Sequence, residues 1–579
     1  MVMSRSLSSL LLLAVVGVLA RAQPVGAPLL ALDDLKAGQR GEVWTVFHGT
    51  EPEPFAVEVT GVVRNALGPG KSLILCQLTD PRVQNMGAVA GMSGSPLYID
   101  GKLAGALSYQ IQRFETVRYA GFTPAADLAE VNNKASATPA ALAATSDSPY
   151  KSLQPVFTLS GLSPAVADLF APRLSALGLS ATALGGSLSS TALSSQPSTQ
   201  SSPPLRAGSA VSVALVTGDI TLAGTGTVSS VDGTSITAFG HPMLSLGEVA
   251  LPMCSAEIVA ILPSSMQSIK VANTGSVIGT ITQDRLSAVS GTLGAGPSMI
   301  DVDVTVAPLR SDRRTLHFAV ARQQQLTPTL VAAGVTQAIA GANDAGLANG
   351  FRLTSDVRFS ASEKLATQTI YAGPQGFTQG LTEFVQGLAA NLQNPYEKTF
   401  PDHVSFSVEP LDENPAVTVD LFQLSRTTAR GGDSVQATIG WRDFQGASHR
   451  ETIDLAIDTH WAGKQLEVIL APGRALDELT GRPRLIAAAE LRSFNAYLAA
   501  IRDDRPTDGL SLAIVEKTEL FSDQTVATPD APGSIERIAR GADEARFHKR
   551  DAVLPLWERH LLDGKLAAAV IRRPLRIVE

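Results

Sequence analysis

Cysteine is almost absent: two in 579 residues. That excludes a disulfide-rich scaffold and a cysteine-built metal cluster. Charge is also sparse. Only 17% of residues are Asp, Glu, Lys or Arg, and the net charge is −8. A nucleic-acid binder normally shows a basic face, and no basic excess exists here. Low charge with 44% hydrophobic residues excludes a disordered or coiled-coil chain. After residue 20 no apolar run is long enough for a bilayer helix. There is no H-E-x-x-H, no P-loop and no EF-hand loop, so no metal or cofactor is expected. Gly224-Thr225-Gly226 lacks the third glycine at dinucleotide spacing and reads as a strand bend.

What remains is a large, mildly acidic, mainly β chain. Residues 1–22 read as a secretory signal: Arg5, an apolar stretch from Leu7 to Ala20, and the cleavage pattern Ala20-Arg21-Ala22. The protein is therefore expected to be exported, periplasmic or extracellular, with no stable membrane span once the signal is removed. Cys76 and Cys254 both lie in apolar strand-like runs and are expected as two separate buried thiols.

Residues 23–132 read as strands. Phe55, Val57 and Val59 alternate with Ala56, Glu58 and Thr60, the period of a half-buried strand. Asp100-Gly101 sits between two apolar runs and predicts a hairpin. Residues 133–205 are rich in Ala, Ser and Pro and read as a linker, flexible over 185–204. Ser163-Pro164 predicts a short helix through about Leu177. Strands return over 206–345, with a hairpin at Asp232-Gly233. Residues 346–404 read as a connection, with a helix over 378–393. Residues 405–484 alternate again and predict an immunoglobulin-like sandwich. Residues 485–579 predict a mixed α/β tail, with a helix near 534–545 and a closing strand at Leu575–Val578.

The sharpest motif is Gly91-Met92-Ser93-Gly94-Ser95-Pro96. Serine between glycines permits a tight turn, and the amides of Gly91 and Ser93 can converge as an oxyanion hole requires. A proline and a strand follow, which excludes the G-x-S-x-G elbow, where a helix follows the serine. A serine nucleophile needs a base. Of eight histidines, His241 in Phe239-Gly240-His241-Pro242 ends a predicted strand and is the first candidate. His48 in Phe47-His48-Gly49 is the rival.

These motifs resemble the SpoIVB-type serine peptidases of sporulating bacteria. The resemblance rests on Gly91 to Pro96, on Asp100-Gly101-Lys102 with Ala104-Gly105-Ala106-Leu107, on Thr79-Asp80-Pro81-Arg82, and on Phe239-Gly240-His241. It implies a chymotrypsin-like double β-barrel. Here the serine half precedes the histidine half, the reverse of the family's order, and no PDZ-like segment is visible. The resemblance implies Ser93 as nucleophile, His241 as general base and Asp80 as the acid that orients it, with Asp284 the alternative acid. The expected substrate is a protein or peptide in extended form. It would pair with Ser108 and Tyr109, while Tyr119 and Gly121 would wall a specificity pocket. Two other readings fit the same residues: an inactive two-barrel binding module of the cell envelope, or a self-cleaving regulatory protein.

Overall fold

A run of antiparallel strands opens the computed structural model, which describes residues 23–111, 117–133, 150–153, 155–179, 181–182, 186–187, 204–264, 268–307, 312–340, 348–359, 364–394, 398–480, 493–502, 504–522, 527–529, 532–534, 537 and 548–579. The strands are β1 (Arg40–Val46), β2 (Pro52–Gly68) and β3 (Lys71–Leu78), then, after helix α1 (Pro81–Met86), β4 (Pro96–Ile99), β5 (Lys102–Ile111) and β6 (Tyr119–Pro124). Their order is β4-β1-β2-β3-β6-β5, and β4 also pairs with β5. Six strands thus close into a ring with no free edge. Phe55, Val57 and Val59 are buried while Ala56 and Thr60 are exposed, so the period-2 pattern points at the ring's interior. Asp100 (φ 50°) and Gly101 (φ 75°) make the tight turn that joins β4 to β5. Helix α2 (Ala125–Asn133) and β7 (Tyr150–Ser152) follow, and β7 pairs with β5.

The next residues are β8 (Phe157–Ser160), α3 (Pro164–Ala176), β9 (Ala181–Thr182) and β10 (Gly186–Ser187). The second ring is β11 (Ala210–Gly218), β12 (Thr221–Asp232), β13 (Ser235–Ala238), β14 (Gly247–Leu262), β15 (Ile269–Arg285) and β16 (Ala288–Leu293). The path β11-β14-β15-β16-β13-β12 returns to its start through a β11–β12 pairing. Beyond β11 the sheet continues through β17 (Met299–Val306) and β18 (Arg314–Ala321). After α4 (Thr327–Ala340) it takes in β19 (Gly350–Arg358) and β20 (Lys364–Ala372), then, after α5 (Gly373–Leu392), β21 (His403–Pro410).

The chain ends in two stacked sheets. One holds β22 (Thr418–Leu424), β24 (Ser434–Arg442) and β25 (Ser448–Ala456). The other holds β23 (Thr428–Arg430) and β26 (Gln465–Ala471). Past α6 (Gly473–Thr480) and α7 (Phe494–Arg502) it adds β27 (Leu510–Ser522), β28 (Ala527–Pro529), β29 (His548–Leu561) and β30 (Ile571–Val578). Phe422, Val435 and Ile453 of the first share one core with Val468, Leu512 and Leu575 of the second.

Three expected boundaries differ from this architecture. Within 133–205, Phe157, Leu159, Val166 and Phe170 are buried in the core of the second ring, so that stretch contributes a packed cap, not only a linker. β21, inside the expected 405–484 sandwich, runs parallel to β17 in the second ring's sheet. The sandwich's second layer is completed by β27 to β30 of the tail, and α6 and α7 fall between its strands β26 and β27. The helices expected at 163–177 and 378–393 are α3 and α5. The signal segment and most of the stretches expected as a helix near 534–545 and as a flexible segment over 185–204 lie outside the described residues. Cys76 and Cys254 are separate buried thiols, as expected. No described helix is long and apolar enough to cross a membrane.

Candidate active site

Residues 88–99 are buried throughout. The loop before β4 turns at Gly91 (φ 98°) and Gly94 (φ 93°), left-handed conformations that favour glycine. Gly94 is also required by space. A Cβ there would lie 2.0 Å from the Thr227 carbonyl oxygen and 2.4 Å from the Phe239 nitrogen. The serine loop is thus pressed directly against the second ring.

That contact is held by hydrogen bonds from β12. Thr227 donates its backbone N–H to Ser93 O (2.8 Å) and its hydroxyl to Gly91 O (3.0 Å). Ser229 Oγ donates to Gly94 O (2.8 Å). The Thr227 carbonyl accepts from Phe239 N (3.1 Å). One threonine therefore holds both the serine loop and the strand end that carries the histidine. From the other side, Thr123 Oγ1 donates to Gly240 O (2.7 Å) and bonds Ser108 Oγ (2.8 Å). Phe239 itself has φ 69°, a costly conformation for a bulky residue. The bonds on either side hold it there.

Unpaired polar groups lie on both sides of this junction. Ser93 Oγ and His241 Nε2 are both buried and neither has a hydrogen-bond partner among the described residues. The N–H groups of Gly91 and Ser93 donate to nothing among the described residues, whereas Met92, Gly94 and Ser95 donate to Val89, Leu107 and Met92 carbonyls. Buried polar groups are nearly always bonded, so unpaired groups on both faces of one junction are exceptional. Ser95, by contrast, is tied to Met92 O at 2.6 Å.

His241 is fully buried. Its Nδ1 lies 2.7 Å from the Pro242 carbonyl, which can only accept, so Nδ1 carries the proton and Nε2 presents its lone pair. Burial pulls the ring down to about 4, against the opposing pull of the Pro242 and Leu153 backbone. The turn after it is fixed by Asp284, whose buried carboxylate accepts the N–H groups of Met243 (2.7 Å), Leu244 (2.8 Å) and Leu246 (3.1 Å). Burial raises its pKa above the usual carboxylate value despite those bonds.

The remaining expected site residues fall as follows. Asp80 is not bonded to His241. It caps α1, accepting Arg82 N at 2.9 Å, and pairs with the Arg82 guanidinium at 3.0 Å. Burial opposes its ionisation, but Arg82 holds the carboxyl below the usual range. In the fold Thr79-Asp80-Pro81-Arg82 is a helix start, with Asp80 as cap and Pro81 in the first turn. Ser108 and Tyr109 are on β5 beside the junction. Tyr119 and Gly121 are on β6 between β3 and β5, and a Cβ on Gly121 would press into Leu73 and Tyr109. His48 is exposed on the turn after β1. A cleft lined by Thr50, Glu51, Arg206, Ser209 and Glu257 opens at the seam, and none of these site residues lines it.

Sequence reading missed Thr227, Thr123 and Lys270. The threonines look like ordinary strand residues, and only the pairing of distant strands brings them here. Lys270 is fully buried beside Gly91, with its stem 2.9 Å from where a Gly91 Cβ would be. Its Nζ bonds Thr45 Oγ1 at 2.7 Å. Burial pulls its amine down to about 7. An unfolded lysine keeps its proton to about 10.5, so the folded state is penalised most at pH 7 and below, and less as pH rises toward 10. Lys270→Met should therefore be more stable than wild type at pH 7, by about 1–3 kcal/mol. The gap should shrink by pH 10 in urea unfolding. A gap that does not change with pH would show that the amine is not desolvated.

Residues 23–122 match the family described as SpoIVB peptidase S55. That is the family the serine motif resembles. The match covers Asp80, Gly91 and Ser93 and ends before His241. No curated protein and no solved structure matches the chain. No group of three His, Cys, Asp or Glu side chains that could hold a metal occurs among the described residues.

Proposed function

We propose that this chain, a SpoIVB peptidase family member by its residues 23–122, is an exported serine endopeptidase with a site assembled between its two strand rings. The observation that supports the reading is that Ser93 Oγ and His241 Nε2, both buried and without a hydrogen-bond partner among the described residues, lie on segments that Thr227 ties together, beside the two loop amides that find no acceptor there. Ser93 Oγ attacks the carbonyl carbon of the substrate peptide. His241 Nε2 takes the hydroxyl proton and returns it to the leaving amine. The N–H groups of Gly91 and Ser93 receive the oxyanion. Water then repeats the sequence on the acyl-enzyme.

The orienting role assigned to Asp80 by resemblance falls here to a carbonyl. The bond from Nδ1 to Pro242 O selects the tautomer that a base needs, and Asp284 holds the turn on which Pro242 sits. Asp80 supports the loop through α1 instead. The swapped order of the two halves is no obstacle in this reading, because Thr227 and Thr123 join them through space.

Reaction with a fluorophosphonate probe tests this. Mass spectrometry of the labelled protein should find the adduct on Ser93, and His241→Ala should not be labelled. A wild-type protein and Leu153 variants (below) that all resist the probe would favour the non-catalytic binding module.

A further inference from the structure

Both Ser93 and His241 are wholly buried, so a substrate cannot reach them in this form of the chain. What closes the site is visible on the edge of β5. Residues 102–106 of that edge pair with β4. Leu107 comes next and bonds the serine loop, accepting from Gly94 N (2.7 Å) and donating to Ser95 O (2.9 Å). Ser108 follows, and its carbonyl accepts the N–H of Leu153 at 2.9 Å. Tyr109, Gln110 and Ile111 then pair antiparallel with Ser152, Lys151 and Tyr150 of β7. The place where an extended peptide would add to β5 beside the nucleophile is already taken by the chain itself.

The details fit a substrate more closely than a structural strand. Leu153 is fully buried and joins the apolar cluster that contains Val89 and Met92, the residues leading into Ser93. Its backbone also faces the His241 ring. β7 is three residues long and pairs with β5 alone. Such an edge strand has little area to hold it and opens at small cost.

We propose that β7 with Leu153 is a built-in occupant of the substrate position. Lys151 to Leu153 lie where the acyl side of a cleaved peptide would lie, Leu153 fills the primary pocket, and the strand must lift away before a substrate enters. This rests on the peptidase reading and extends it in two ways. The enzyme takes extended peptides with a leucine-sized aliphatic residue just before the cut bond, and the resting chain is self-inhibited.

The test compares fluorophosphonate labelling rates of wild type, Leu153→Asp and Lys151→Pro, with folding checked by circular dichroism. Leu153→Asp places a charge in the pocket. Lys151→Pro alters an exposed position and leaves the core intact should the first variant fail to fold. Both should label at Ser93 on the order of tenfold faster than wild type, as a shift in open population predicts. The peptide acetyl-Tyr-Lys-Ser-Leu should slow labelling of the opened variants, and acetyl-Tyr-Lys-Ser-Asp should not. Equal rates in all three proteins, with Ser93 labelled, would overturn the proposal and leave the peptidase reading standing. Equal effects of the two peptides would overturn the leucine preference. No labelling in any protein would overturn the peptidase reading, and this one with it.

Discussion

Ser93→Ala is expected to lose on the order of 10³- to 10⁶-fold in turnover, the usual cost of removing a serine nucleophile. The loss should appear in the wild-type chain and in the Leu153→Asp background alike, since the second change opens the site without supplying a nucleophile. Ser95→Ala is the control. Ser95 Oγ is engaged with Met92 O, so removing it costs about 1 kcal/mol of stability and leaves most of the activity. The two serines are two residues apart in one buried loop, and the fold treats them differently. One hydroxyl braces the turn, while the other has no partner. Full peptide hydrolysis by Ser93→Ala would remove the catalytic reading, because Ser95, the other serine of this loop, has its hydroxyl engaged with Met92 O.

Local signals in the sequence were reliable guides where the physics is local. Phe55, Val57 and Val59 alternate because one strand face is buried. Asp100-Gly101 makes a hairpin because both residues reach positive φ. Ser163-Pro164 starts α3 because proline at the first turn lacks only an N–H that would be unbonded there. The serine loop was legible for the same reason, since its glycines are conformational requirements. What was hidden depends on pairings far apart in sequence. Nothing in Thr227-Val228-Ser229 indicates that it holds Gly91, Ser93 and Gly94. Nothing near Tyr150 indicates a partner at Tyr109. The expectation of a separate mixed α/β tail misses that β27, beyond α6 and α7, lies beside β26 in the same sheet. Asp80 shows the opposite hazard. Its motif was plain, but an aspartate before proline is also a helix cap, and sequence cannot separate the two roles.

His241→Ala is expected to match the Ser93→Ala loss, and the double variant should lose little more than either, because nucleophile and base act as a unit. His48→Ala should retain activity, since His48 is exposed on the turn after β1. The same substitution carries a signature in stability that a spectator histidine would not. In the folded closed chain burial pulls His241 down to about 4, while the unfolded ring titrates near 6.5. The folded state therefore binds fewer protons than the unfolded state between those values. Its stability from this group is complete above pH 6.5 and is lost as pH falls toward 4. Wild type should lose up to about 3 kcal/mol more than His241→Ala across that interval in urea unfolding. For the enzyme, the same shift keeps Nε2 unprotonated through neutral and mildly acid pH, so labelling of wild type should persist below pH 6.5. In Leu153→Asp water reaches the ring, and the acid limb should move up toward 6.5. An acid limb at the same pH in both proteins, together with identical acid sensitivity of wild type and His241→Ala, would show that the buried ring is neither the base nor the group that β7 keeps dry.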